Sequence, residues 1–100
     1  MYNITHSRQI NFINNNEDNY ILIYWRYVVD DGYSIEVNVN DEISKVFSTT
    51  INGSVENESE DLAWSVYYNL IELFKQNGNK VFEILKLNYI DEVEEYLKKN

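Results

Sequence analysis

Two kinds of side chain in this sequence could take part in acid–base chemistry: a single histidine, His6, and seventeen carboxylates. A nucleophilic site around His6 would need a hydroxyl and an acid beside it, and Thr5 and Ser7 are its neighbours in the chain. No spacing brings an acid to that group. Chain termini are seldom ordered, so His6 reads as a solvent-exposed residue in a frayed segment. There is no cysteine, which removes thiol nucleophiles, disulfides and thiolate metal sites. The acids lack the oxygen-ligand spacing and mid-loop glycine of a calcium loop, and Asp30-Asp31-Gly32 reads first as a hairpin turn. Gly32, Gly53 and Gly78 are isolated turn residues, which leaves no glycine-rich loop to cradle a phosphate. Paired carboxylates for glycosidic cleavage would need a deep cleft, and so small a chain is not expected to form one. The expectation is a protein with no enzymatic activity, no metal and no cofactor.

Charge is the uneven feature. The formal net charge is −9 over 100 residues. Nine acids lie between Asp30 and Asp61, namely Asp30, Asp31, Glu36, Asp41, Glu42, Glu56, Glu58, Glu60 and Asp61, against one base, Lys45. The rest of the chain holds eight acids and seven bases and is close to neutral. An excess confined to one third of a chain is a property of a region, not of the whole composition. It disfavours direct contact with nucleic acid or an anionic membrane, both of which need positive charge, and favours a basic partner. A row of carboxylates can imitate a phosphate backbone and steer itself into a positively charged groove. The plainer reading of the same acids is a solvated, solubilising surface.

The aromatic load is the second feature, with nine Tyr and two Trp. The ten residues 20–29 are apolar or aromatic at nearly every position, which predicts a central strand. Its period of two puts Ile21, Ile23, Trp25, Tyr27 and Val29 on one face and Tyr20, Leu22, Tyr24, Arg26 and Val28 on the other. Tyr and Arg dominate protein interfaces, so Tyr20, Tyr24 and Arg26 on an uncovered face would make a partner site or a homodimer seam. The segment Asp91 to Lys99 has acids first and lysines last, the order that suits a helix dipole. It could also serve as a second acidic patch.

These side chains are positioned by a simple run of elements. Residues 8–14 predict a first strand with Ile10 and Phe12 on one face, and Asn14 to Asn19 a polar turn. Asp30-Asp31-Gly32 closes a hairpin onto a strand at 33–39, whose Tyr33, Ile35, Val37 and Val39 face inward. Asn40-Asp41-Glu42 turns the chain into a strand at 43–51 with Ile43, Phe47 and Ile51 inward. Asn52-Gly53 marks a further turn, which either leads into a short return strand at 54–56 or ends the sheet ahead of the helix. The helix carries Leu62, Val66, Tyr67, Leu70, Ile71, Leu73 and Phe74 at helical spacing, with Asn57 or Ser59 as its cap and Asn77-Gly78 at its end. Residues 81–87 read as helix or strand, with two short helices favoured. Asn88 is placed to cap the last one, with Ile90, Val93 and Leu97 on its buried side. The fold expected is one α+β domain over residues 1–100: a three- to four-stranded antiparallel meander followed by two or three helices on one sheet face, a two-layer sandwich.

No apolar run approaches a membrane span, and residues 1–8 lack the layout of an export signal, which makes a cytoplasmic setting the expectation. Heavy use of Asn, Ile, Tyr, Lys and Glu resembles the bias of an AT-rich bacterial, phage or plasmid gene. In size, charge and α+β order the chain looks like the small, acidic, cysteine-poor inhibitors made by mobile elements, such as anti-CRISPR proteins, or by toxin-immunity pairs. That resemblance carries no functional residue across. It implies an inhibitor that binds a basic nucleic-acid-handling enzyme, such as a nuclease, as a nucleic-acid mimic. The alternative is a phage or plasmid structural protein that homodimerises through its aromatic sheet face.

Overall fold

A computed structural model describes residues 3–28, 32–48 and 56–99. Four strands come first: β1 (Asn3–Asn14), β2 (Glu17–Val28), β3 (Gly32–Val39) and β4 (Ile43–Ser48). Each pairs antiparallel with the next, giving one sheet in the order β1-β2-β3-β4. Three helices follow, α1 (Glu56–Gln76), α2 (Val81–Ile84) and α3 (Ile90–Lys99), with a 3-10 turn at Gly78–Lys80 leading into α2. All of them lie on one face of the sheet, so the molecule is the two-layer α+β sandwich that the strand alternation predicts.

The alternation in β2 decides which face is covered. Ile21, Ile23 and Trp25 are buried, and Tyr20, Leu22, Tyr24 and Arg26 between them are only half-buried. Ile35, Val37 and Val39 of β3 and Phe47 of β4 complete the apolar floor. Helix α1 sets Ala63, Val66, Tyr67, Leu70, Ile71 and Phe74 against it, a stripe at the spacing of a single helix face. Fully buried side chains such as Phe47, Leu70 and Ile84 each contribute about 1.5–3 kcal/mol by leaving water. Among the described residues no helix is long and apolar enough to cross a membrane.

Several boundaries differ from expectation, each for a local reason. The turn expected over Asn14 to Asn19 contracts to Asn15 and Asn16, at φ of 55° and 63°. Two consecutive left-handed residues form the tight hairpin turn whose twist matches its strands, and Asn tolerates that conformation better than most side chains. The ladder therefore runs out to Asn14↔Glu17, and β1 starts at Asn3, not at residue 8. His6 is accordingly part of a strand opposite Trp25, not of a frayed end. Asn40 and Asp41, at φ of 54° and 59°, repeat the device between β3 and β4. Gly32 takes φ of +87°, the left-handed conformation expected of it, at the start of β3. Ile43, expected inward, is exposed at the sheet margin.

The helix ends also depart from the reading. Helix α1 begins at Glu56, which puts Asn57 and Ser59 inside its first turns and removes a strand at that residue. Asn77 ends α1 with extended backbone at φ −155°, and Gly78 is not a left-handed cap. Its reason is steric: a Cβ there would stand 2.4 Å from Cβ and Cγ of Phe12. Residues 81–84 are helical. Asn88 does not cap α3; the Glu92 carboxylate accepts from the backbone N–H of Asn88 and Tyr89 at 3.3 and 3.2 Å. The Asn88 side chain instead accepts a hydrogen bond from Lys45 Nζ at 3.1 Å, tying β4 to the helical layer. The expected residues Val29, Asp30, Asp31, Ile51, Asn52 and Gly53 fall outside the described residues.

Candidate partner-binding surface

The sheet face turned away from the helices is the one that carries Tyr20, Leu22, Tyr24, Arg26 and Val28. The register brings Tyr24 opposite Glu36 and Arg26 opposite Ser34. Across that diagonal the Arg26 guanidinium donates to Glu36 Oε1, and its carbon sits 4.7 Å from the centre of the Tyr24 ring. The amide of Asn38 donates to the other oxygen, Glu36 Oε2, at 3.0 Å. Both oxygens of Glu36 are thus engaged, and its side chain is only 16% exposed. Glu36 lies in the middle of the face as part of a neutral, fixed pair. It does not add to a field of free negative charge.

One end of this face is acidic. Two-way backbone and side-chain bonds join Tyr20 to Asn40: Asn40 N–H donates to Tyr20 O at 3.0 Å, and Tyr20 N–H donates to Asn40 Oδ1 at 2.9 Å. The Asn40 amide also donates to Asn19 Oδ1 at 2.8 Å. These contacts hold the β3–β4 turn against β2, so that the Tyr20 hydroxyl donates to Asp41 Oδ2. The bond, followed by burial and by the charges of Asp41 and Glu42, pushes the Tyr20 hydroxyl above its ordinary value of 10.0. Asp18 stands two positions before Tyr20 on the same face, and a groove of about 560 Å³ runs between them, lined also by Asn11, Phe12, Ile13 and Asn19. Among the described residues none of Asp18, Asp41 and Glu42 forms an ion pair.

The remaining acids are brought to the other end of the sheet. Glu56, Glu58, Glu60 and Asp61 fall within the first six positions of α1, where the helix dipole favours negative charge. The Tyr33 hydroxyl at the start of β3 is 3.4 Å from Glu60 Oε2. Six steps of strand separate Tyr33 from Val39, roughly 20 Å at 3.4 Å per residue, and the turn that carries Asp41 follows. Among the described residues, the acids of this third therefore form two groups and a neutralised centre. Asp30 and Asp31 lie outside the described residues. Asp18 was not singled out in the sequence, because a run of Asn and acids hides the strand that carries it.

An aromatic cluster occupies the opposite, helix-bearing side. Trp25 and Trp64 stack with ring centres 4.1 Å apart, and Tyr68 stacks on Trp64 at 5.5 Å. His6 meets both indoles edge-on at 5.4 and 4.9 Å. Among the described residues no three of His, Cys, Asp and Glu converge as a metal site would require. The chain matches no known family model, no curated protein and no solved structure.

Proposed function

We propose that this chain is a non-enzymatic inhibitor that binds a basic nucleic-acid-handling enzyme. The open sheet face would be its contact surface, and the acids its steering charge. The observation that carries the reading is the end of the sheet around Tyr20: Asp18, Asp41 and Glu42, without ion pairs among the described residues, beside a neutral platform of Tyr24, Arg26 and Glu36. Unpaired carboxylates attract a cationic surface over about a Debye length, some 8 Å at physiological salt. Half-buried Tyr and Arg held by neighbours lose little freedom on contact, which suits them as anchors.

Mimicry of a nucleic acid would draw on two acidic groups, which lie beyond opposite ends of β3 with roughly 20 Å of strand between Tyr33 and Val39. The Tyr20 and Tyr33 hydroxyls reach Asp41 and Glu60, one carboxylate in each group.

The test is capture of the partner from host extract at low and high salt, followed by association kinetics. The partner should be a nucleic-acid enzyme that salt releases. Asp18→Asn, Asp41→Asn and Glu42→Gln together should slow association about tenfold or more at low salt and leave dissociation nearly unchanged. Tyr24→Ala should do the reverse. Unchanged association in the triple variant at low salt would sink the reading.

A further inference from the structure

The two margins of the sheet are treated very differently. β4 carries Lys45 and is partly covered: Asn88 binds Lys45, and Tyr89 makes a parallel bridge to Ser48. A lysine and a covering segment are usual devices that stop a sheet edge from pairing further. β1 has none of them. It is twelve residues long, and its register with β2 runs from Asn3↔Val28 to Asn14↔Glu17 without a skipped residue, so no bulge twists the edge away. It contains no Pro, Lys, Asp or Glu. Thr5 through Gln9 are all exposed, and Ile13 is 66% exposed.

We infer that β1 is a pairing edge, and that its occupant is a second copy of this chain in antiparallel register. Charge selects that occupant. Self-association is opposed by a net charge of −9 per chain, yet β1 bears no acid and one full positive charge, Arg8. Along this margin two copies can approach without setting carboxylate against carboxylate. A two-fold axis at Gln9 sets Gln9 opposite its own copy and Ser7 opposite Asn11, pairs whose side chains can hydrogen-bond across the seam. The two sheets become one continuous eight-stranded sheet. The aromatic cluster adds to the seam: His6 of β1 touches Trp64, and Trp64 carries Tyr68, which is 58% exposed. The seam lies on the edge and leaves the face of Tyr20, Tyr24 and Arg26 open, so it does not depend on what that face binds.

Light scattering of the intact chain over a concentration series tests this directly. The expected mass is twice the 12.0 kDa of one chain, with association strengthened by salt because the acids elsewhere repel. Paired substitution Ser7→Lys with Gln9→Lys should return the monomer while circular dichroism and tryptophan emission stay native. The chain has no cysteine, so single variants Ser7→Cys, Gln9→Cys and Asn11→Cys report proximity cleanly, and at least one should form a covalent dimer on mild oxidation. A monomer at every concentration and salt, with no covalent dimer from any cysteine variant, overturns the inference. So does a dimer that survives the lysine pair but is lost in Tyr24→Ala, which would put the seam on the open face. Association that grows past two copies would also overturn it, since a closed two-fold seam cannot propagate.

Discussion

The indole of Trp64 on α1 lies over that of Trp25 on β2, with ring centres 4.1 Å apart and planes inclined by 17°. This stack joins the helical layer to the centre of the sheet. Trp25 is 3% exposed, while Trp64 has one side turned toward Tyr68. Trp64→Ala removes the stack and uncovers Trp25, and should cost about 2–4 kcal/mol in urea denaturation. Trp64→Phe should recover more than half of that loss, since an aromatic ring is kept.

Gly78 meets Phe12 so closely that a methyl group has no room, with two Phe12 carbons at 2.4 Å from the position of a Cβ. Gly78→Ala should destabilise by about 1–3 kcal/mol through overpacking, although its backbone conformation is one that Ala adopts freely. The combination with Phe12→Ala should be less unstable than the sum of the two single variants. A strictly additive pair would show that the contact is not the cause.

The Arg26–Glu36 pair is more sheltered than an ordinary surface ion pair, with side-chain exposures of 37% and 16%. A double-mutant cycle with Arg26→Met and Glu36→Gln should give a coupling of about 1 kcal/mol, only weakly reduced by salt. Glu36→Gln alone should also loosen Tyr24, because Arg26 loses the partner that holds it over the ring.

Alkaline stability follows from three tyrosines. Tyr20 is raised above 10.0 mainly by its bond to Asp41, Tyr67 mainly by burial, and Tyr96 by burial and its bond to Glu83. A raised value means that the folded chain holds the proton more tightly than the unfolded one. The stability they lend is present below pH 10 and is lost as pH rises through the raised values. Denaturation midpoints should fall as pH rises above 10. In tyrosinate absorbance, Tyr20→Phe should remove one late-ionising group.

At the acid end Glu83 is the counterpart. Hydrogen bonds from the Tyr96 hydroxyl at 2.7 Å and from Lys80 at 3.1 Å hold it below its ordinary value of 4.5. Its contribution is present above pH 4.5 and is lost as pH falls through the lowered value. Tyr96→Phe should move the Glu83 titration upward in carboxyl-detected NMR and lower stability at neutral pH, with the difference shrinking in acid.

What could be read in the sequence follows from how local its causes are. The faces of β2 and β3 were legible because Ile21, Ile23, Trp25, Ile35 and Val37 alternate with other residues, and parity alone then puts Tyr20, Tyr24 and Arg26 outside. The outer halves of β1 and β2 were not. Between Asn14 and Asn19 no apolar residue reports a period, and the strands continue there on backbone bonds alone. Asp18 was lost from the candidate surface for the same reason. Gly78 resembled a cap because Asn-Gly often ends a helix, but its cause sits 66 positions earlier in the chain, at Phe12. The acidic third looked like one unit in the sequence. Its division depends on the Arg26 bond to Glu36 and on β3 carrying its two ends apart, relationships that only the assembled sheet contains.

Among the described residues every strand precedes every helix, and this order matters while the protein is being made. The meander can close by successive hairpins as it leaves the ribosome, each strand meeting a neighbour already present. Its floor of Ile21, Ile23, Ile35, Val37 and Phe47 then waits for α1 with nothing above it. At roughly 5–20 residues per second, that exposure lasts on the order of seconds. The nascent chain exposes the most apolar surface just before α1 arrives to cover that floor.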